Sequence, residues 1–433
     1  MFKPDFLVKI IAMSNKYQKP RGMQDLLPAD QKLWSFITET FIQICRQSGA
    51  ERISTPIIES TELFTRAVGE ETEVVSKEMY TFKDRSDNSL TLKPESTAGV
   101  VRAYIENGMS SLPKPITLYY IEPHFRYERP QAGRYRQHHQ LGFEVFGDST
   151  TTADVHVIAM GARLLNNLGI AHKVLINSIG SPEDRQRYIE VLKSYFEAHR
   201  YKLPEINKAQ LESNPLRILD TKDEAIMELV EGAPHIIDYL SKESAERFQA
   251  ILEMLEGCGI EYELNTRLVR GLDYYNDIVF EYIASREGAS FSVGGGGRYD
   301  GLVEQLGGVT TPAIGFGLGI ERIKLELEEM SYVPEAINPD VFVVAIGKDA
   351  SLSAEVVLEK LLNAGIRVRS NFSKKSMGDQ LALADKLGAK YAVVIGDREA
   401  QQNEAIIKDM ASGNQQVDKQ DKLIDTIRTS LGA

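Results

Sequence analysis

Between Tyr119 and Gly147 the chain runs YYIEPHFRYERPQAGRYRQHHQLGFEVFG. It reads as two strands around a loop containing Pro130, Ala132 and Gly133, residues that suit a turn and neither a helix nor a central strand. Successive strand side chains point to opposite faces. On the returning arm Arg136, His138, Gln140, Gly142 and Glu144 therefore share one side, and His139, Leu141, Phe143 and Val145 the other. On the outgoing arm Glu122, His124, Arg126 and Glu128 fall together. One face can pack. The other carries cations, amides and carboxylates, which a core accepts only with partners. A polar floor holding an arginine suits an anionic ligand, although a half-wet hairpin face shows the same alternation.

Four further stretches could do chemistry. LTLKPESTAGVVRAYIEN, Leu90 to Asn107, reads as a strand end and then a helix, with Pro94 at the first helical position and Glu95 in the first turn, where a carboxylate complements the helix dipole. LVRGLDYYNDIVFEYI, from Leu268, crowds Arg270, Asp273, Tyr274 and Tyr275 into a turn before a strand; an Arg–Asp pair pinning that turn is the plain account. SVGGGGRYDGL, from Ser292, has a glycine run that lets a ligand approach the backbone. It lacks the GK[ST] of a P-loop and is not a GxGxxG in a βαβ unit. In PAIGFGLGIERIKLELEEM, from Pro312, Ala313, Gly315, Gly317 and Gly319 alternate with Ile314, Phe316, Leu318 and Ile320. A bare strand face can take a flat ring, and a helix beginning near Glu321 and Arg322 offers amides and a guanidinium to an anion.

These residues need a scaffold. Ala29–Ser48 carries Leu33, Phe36, Ile37, Phe41, Ile44 and Cys45 at helical spacing, with Gly49 as its stop. RISTPII follows, and Pro56 makes it an edge or interface strand. Ala153–Leu168 is predicted helical and Lys173–Ile179 a strand. Ser181-Pro182-Glu183-Asp184 then opens a mostly helical stretch to about Gly259, with Phe248, Ile251, Leu252 and Leu255 as one buried stripe and Pro204, Pro215 and Pro234 as punctuation. Between Val333 and Pro339 two prolines mark a linker. Beyond it DVFVVAIG, IRVRSNF and KYAVVIGD alternate with helices at Ala354–Asn363 and Gly378–Leu387; GNQQ reads as a turn and Leu423–Leu431 as a closing helix. That alternation predicts a mainly parallel sheet.

Length, at 433 residues, allows two or three domains, and 42% hydrophobic with 26% charged residues is a soluble globular composition. Two cysteines, Cys45 and Cys258, cannot make a disulfide framework or a zinc site, and fit a reduced, cytoplasmic setting. No apolar run is long enough to span a bilayer, so no membrane association is expected. The start is too short for a signal peptide and has no small-residue cleavage site; residues 1–13 are expected to be an extension, disordered or non-native. The net charge of -12 argues against wholesale nucleic-acid binding. From Asp340 onward the chain has 13 basic and 13 acidic residues, so the acidic excess lies entirely before it.

FRYERP, a loop and HQLGFEVFG together resemble motif 2 of the class II aminoacyl-tRNA synthetases, in the wording of the histidyl-tRNA synthetase family. RGLDYY resembles a motif peculiar to that family, SVGGGGRYDGL its second histidine-specific segment, and the stretch from Pro312 class II motif 3. TLKPEST is similar to its TLRPEGT segment, with Lys93 and Ser96 where Arg and Gly are usual. The long helix with its proline-bearing strand resembles motif 1, which builds a homodimer. The resemblance runs from Arg21 to the C-terminus. It implies an α+β catalytic domain with a mixed, mainly antiparallel sheet at 14–335, an inserted helical domain at 182–260 that clamps the tRNA acceptor arm, and an anticodon-binding α/β domain at 340–433.

The activity so implied is ligation. ATP, with Mg²⁺, activates L-histidine to histidyl-adenylate, and the histidyl group passes to the 3′ end of tRNA(His); no tightly bound cofactor and no protein-held metal are expected. By the same resemblance Arg126 and Arg270 meet the α-phosphate and Arg322 the γ-phosphate, with Arg134 a further phosphate contact. Glu144 and Tyr275 read the imidazole nitrogens, Tyr274 and Tyr299 face the histidine, Glu95, Thr97 and Gln140 receive its α-amino group, and Ser96 belongs to the same histidine site. Arg129 and Gln131 lie near the acceptor end. Hydrogen-bonded readout of this kind rejects analogues strongly, so no editing site is expected. One rival is a synthetase-like regulatory subunit of a histidine-biosynthesis phosphoribosyltransferase, a class that typically lacks the terminal domain and loses catalytic residues. A non-catalytic RNA-binding module is a second rival, disfavoured by the charge.

Overall fold

The computed structural model describes residues 17–432 apart from 70–71, 221–222, 287–288, 335–337, 372 and 374–375. The extension at 1–13 and the expected boundary at 335 lie outside them. The chain divides into two compact units, one ending at Pro334 and the other running from residue 335 to the C-terminus.

Eleven strands belong to the first unit: β1 (Glu51–Arg52), β2 (Ile58–Ser60), β3 (Tyr80–Lys83), β4 (Ser89–Leu92), β5 (Ile116–Phe125), β6 (Gln137–Phe146), β7 (His172–Gly180), β8 (Tyr262–Leu264), β9 (Asn276–Arg286), β10 (Ala289–Arg298) and β11 (Ala313–Gly319). Eight of them form one sheet in the order β1-β5-β6-β11-β10-β9-β7-β8, and β2-β4-β3 form a small second sheet. All neighbours in the large sheet are antiparallel except the two edge pairs, β1 with β5 and β7 with β8. The sheet is thus mixed and mainly antiparallel. RISTPII is not one strand: it splits into β1 and β2, with Pro56 between them. Proline lacks the ladder donor, and β1 is an edge.

On one face of the sheet the Pro28–Gln47 helix lays Leu33, Ile37, Phe41, Ile44 and Cys45 against Leu141, Phe143 and Val145, the apolar side of the hairpin's returning arm. Phe41 and Ile44 are wholly buried, and burial of such a side chain contributes about 1.5–3 kcal/mol. The opposite face of the same strands is left for polar residues.

Between β7 and β8 come the helices Pro182–Ala198, Glu205–Ser213, Glu224–Glu231 and Lys242–Gly257. The first opens with a capping box: the Ser181 hydroxyl accepts from the Asp184 amide at 3.1 Å, and the Asp184 carboxylate accepts from the Ser181 amide. The stripe Phe248, Ile251, Leu252 and Leu255 does not serve a separate core. It joins Val157, Ile158 and the sheet in the main core, and Arg247 ties the last helix to the Asp154 and Asp277 carboxylates.

Five more strands form the second unit: β12 (Val341–Ile346), β13 (Val368–Ser370), β14 (Tyr391–Gly396), β15 (Glu404–Asp409) and β16 (Gln415–Lys419), in the order β13-β12-β14-β15-β16. The first three are parallel and the last two antiparallel, so the sheet is half parallel rather than mainly so. The expected GNQQ turn ends at Asn414, and the two glutamines start β16. That edge strand is almost entirely polar, and its one apolar residue, Val417, is 58% exposed. No buried face imposed an alternation on it.

Candidate active site

A cavity of about 230 Å³ opens on the polar face of the large sheet. Five strands and loops distant in sequence supply its walls. Arg126 comes from the end of β5, Arg134 from the hairpin loop, Arg270 from the loop before β9, and Arg322 from the first turn of the Ile320–Glu329 helix. All four line it. Their settings differ. Arg126 is fixed by a hydrogen bond from Nε to the Pro94 carbonyl, 2.8 Å. Arg322 donates to the Ser292 carbonyl at 2.5 Å, and its pKa is pulled down by burial and by the neighbouring Arg134 and Arg126 charges. Arg270 pairs with Glu281, not with Asp273 as the turn suggested, and its Nε is buried without a hydrogen-bond partner among the described residues. Glu128, 3.8 Å from Arg134, and Glu281 offset part of this positive charge, and an anion in the open space would offset more.

The other end is acidic and phenolic. The Glu144 carboxylate accepts from Thr97 Oγ1 at 2.9 Å, Tyr299 OH at 2.6 Å and Tyr120 OH at 3.4 Å. Burial raises its pKa to about 8 despite those donors. Gln140, Tyr274 and Tyr275 complete this end. Burial also drives the Tyr274 and Tyr299 phenols up, so both remain neutral donors. Glu95 lies at the margin. The helix starts at Thr97, not Pro94, and Glu95 turns back over its end: the carboxylate accepts from the amides of Thr97 at 2.7 Å and Ala98 at 2.9 Å. Burial raises its pKa, and those two amides and Arg126 oppose the rise. The carboxylate thus complements the helix dipole and still lines the cavity.

Glycines make the room. A Cβ at Gly315 would land on the Glu144 carboxylate, one at Gly317 would come within 2.9 Å of Gln140 Oε1, and one at Gly142 would fall inside the Tyr120 ring. A Cβ at Gly297 would reach 2.8 Å from the Tyr275 ring, and one at Gly295 3.0 Å from Arg270. The bare face of β11 lines the cavity at Gly315, Gly317 and Gly319, with the Glu144 and Gln140 side chains of the neighbouring strand lying beside the first two.

Several expected residues sit elsewhere. Ser96 does not line the cavity; its hydroxyl turns inward to His124 Nε2 at 2.6 Å. Arg129 and Gln131 are exposed on the hairpin loop, outside the cavity lining. Glu321 lines the cavity at the helix start, and its carboxylate accepts from the His139 amide at 2.9 Å and lies 2.8 Å from His139 Nδ1. Beneath the floor Glu122, on the polar side as the alternation required, is consumed by an ion pair with Lys93 and by Thr55. Tyr120 and Glu281 line the cavity although the sequence did not single them out, and so does His138, which the alternation put on the polar face without a role. Tyr120 keeps the parity of Glu122 and Arg126, and Glu281 is a lone carboxylate in the apolar run IVFEYI; either signal could have found them. Burial and the Arg126 charge bring the His138 pKa down to about 3, leaving a neutral imidazole beside the arginines.

Comparison with known proteins adds independent observations. A family model described as histidyl-tRNA synthetase matches residues 22–323, and one described as anticodon binding domain matches residues 340–430. Among curated relatives, the histidine–tRNA ligase of Dehalococcoides mccartyi is 45% identical over 417 residues, covering 96% of this chain and 100% of its own. That of Desulforamulus reducens is 44% identical over 400 residues, covering 92% and 96%. Among solved structures, apo histidyl-tRNA synthetase of S. aureus superposes with a TM-score of 0.81 at 37% identity, covering 95% of this chain and 100% of that one.

Proposed function

The chain belongs to the histidyl-tRNA synthetase family, and from that membership we propose how its residues divide the work. It is a class II aminoacyl-tRNA synthetase: it consumes ATP to activate histidine and ligates it to tRNA. The observation that carries the assignment of roles is one cavity that gathers four guanidinium groups toward one end, two of them beside Glu128 and Glu281, and Glu144 with the phenols at the other. A triphosphate joined to an amino acid has the complementary polarity.

Activation brings a carboxylate against the α-phosphate, two anions together. Positive charge fixed in advance where the transition state is most negative is the largest service available, and alignment is the next. Arg126, held by Pro94, and Arg270, held by Glu281, take the α-phosphate from two sides. Arg322 takes the γ-phosphate, and Arg134 is a further phosphate contact. Neutral His138 adds a hydrogen bond without a charge. At the other end Glu144 and Tyr275 bond the imidazole nitrogens, Tyr274 and Tyr299 frame the ring, and Glu95, Thr97 and Gln140 receive the α-amino group. Ser96 acts only from behind, through His124.

Mg²⁺ would enter on the phosphates and neutralise part of their charge. The helices between 182 and 260 are assigned to the acceptor arm, with exposed Arg129 and Gln131 near the acceptor end, and residues 340–433 to the anticodon. A homodimer belongs to this reading, supported by apolar residues left exposed on and beside the small sheet, Ile57 and Ile58 at 45% and Phe82 at 42%. So does a cytoplasmic place in translation. No helix among the described residues is long and apolar enough to cross a membrane. The regulatory-subunit reading is less supported, because the three arginines and the matched terminal unit are all present.

Histidine-dependent exchange of pyrophosphate into ATP tests the assignment. Arg270→Ala is expected to lose about 10²-fold or more in kcat with its melting temperature little changed. Near-normal exchange would remove Arg270 from the phosphate site.

A further inference from the structure

The loop bearing Arg270, Tyr274 and Tyr275 leaves β8 at Leu264 and does not rejoin the large sheet until Asn276. Along the way it is gripped by the helical insertion. Thr266 Oγ1 lies 2.8 Å from His235 Nδ1, and Arg267 donates to the Glu231 carbonyl at 3.0 Å. From the first insertion helix, one nitrogen of Arg185 donates to the carbonyl of Asp273 at 3.2 Å and to that of Tyr275 at 3.5 Å. The Arg217 guanidinium lies 3.5 Å from the Asp273 carboxylate. On the far side the Asp273 amide donates to the Val68 carbonyl at 3.2 Å, and Gly69 leaves room for its side chain.

A second cavity, about 530 Å³, lies between the insertion and the active site. Arg185 and Arg217 line it from one side, Arg270 and Tyr275 from the other, so the loop is a wall common to both cavities. Arg185 does not line the first cavity. Any effect it has on histidine must pass through the loop. Two carbonyls bracketing Tyr274 set the peptide planes from which both tyrosines project. A shift of about 1 Å in such groups is enough to cost activity heavily.

We infer that Arg185, seconded by Arg217, is a positioning residue for the amino-acid pocket: by holding the carbonyls of Asp273 and Tyr275 it fixes the loop that presents Tyr274 and Tyr275, so that histidine binding depends on how the insertion is seated. This rests on the assignment of those tyrosines to histidine. Of the phosphate contacts, Arg126 and Arg322 are anchored to Pro94 and Ser292, and Arg270, although it lies on the loop, is anchored to Glu281 of β9. Loss of Arg185 therefore falls on histidine far more than on ATP.

Pyrophosphate exchange with the full-length protein, measuring KM for histidine and for ATP separately, decides it. Arg185→Ala is expected to raise the histidine KM about five- to tenfold, the loss of one charged donor shared between two carbonyls, and to leave the ATP KM within about twofold. Arg185→Lys keeps a charged donor and should recover part of that rise. Arg217→Gln should move the histidine KM the same way by about two- to threefold, and it serves as the test if Arg185→Ala does not fold. A histidine KM within about twofold of the parent, or equal rises for both substrates, overturns the inference. Tyr275→Phe is the control beneath it. If Tyr275→Phe raises the histidine KM and the arginine variants do not, the positioning role alone fails; if Tyr275→Phe has no effect, the assignment of that tyrosine fails as well.

Discussion

Glu144→Gln should make the free protein more stable while spoiling its use of histidine. The carboxylate is 1% exposed and ionises at about 8 instead of 4.5, chiefly because burial penalises its charge. Between those two values the folded protein keeps a proton that the unfolded chain has released. The contribution of Glu144 to stability is therefore full below pH 4.5, drains away as pH rises, and is flat again above about 8. Each pH unit in that window costs about 1.4 kcal/mol, so the whole span amounts to about 4–5 kcal/mol. Glutamine has nearly the same shape, carries no charge, and can accept from Tyr299 while its amide meets the Thr97 hydroxyl. Its advantage over the parent should be near zero at pH 4.5, about 2 kcal/mol at pH 6 and about 4 kcal/mol at pH 8. Urea unfolding across that range measures it, with the fluorescence of Trp34, the single tryptophan, reporting the first unit. In parallel, exchange assays should show a histidine KM raised far more than the ATP KM. A stability difference that stays flat from pH 5 to 8 would refute the claim that burial holds Glu144 protonated, and unchanged discrimination would remove it from the pocket.

Two other substitutions probe the floor. Gly315→Ala puts a methyl on the Glu144 carboxylate, which must then leave Thr97 and Tyr299; the histidine KM should rise at least about tenfold, and a normal value would mean the carboxylate is not held where histidine binds. Lys93→Met strands Glu122 in a buried site and should cost about 3–5 kcal/mol in urea unfolding, whereas Lys93→Met combined with Glu122→Gln should restore most of it; a single variant as stable as the double would show the pair is not coupled.

Much of the site was legible because strand alternation is local. The parity of Gln140 and Glu144 against Leu141 and Phe143 alone put two cavity-lining polar side chains on one face and the core on the other, and the observed register keeps that division. Short motifs single out Arg126, Arg270 and Arg322, and all three line one cavity. What went astray was non-local. Pro94 looked like a helix start, yet the turn before Thr97 is set by Glu95 folding back and by β4 pairing with β2. Asp273 is Arg270's neighbour in sequence, but Glu281 is its neighbour in space, because β9 carries that carboxylate back beneath the loop. The glycines of β11 do line the cavity, but that Glu144 and Gln140 lie beside Gly315 and Gly317 follows from the pairing of β11 with β6 and could not be read from the glycine run.

The amino-acid sequence by itself determined which residue types are present, their facing within each strand and the family whose wording they follow. Only the tertiary structure decided who partners whom: that Glu122 is spent on Lys93, that Ser96 turns away to His124, and that the tyrosine loop hangs from Arg185. The reason is physical. Periodicity and turn chemistry act over a few residues and are written in the chain, whereas ion pairing, burial and the pKa shifts that follow depend on distances between segments that the sequence keeps far apart.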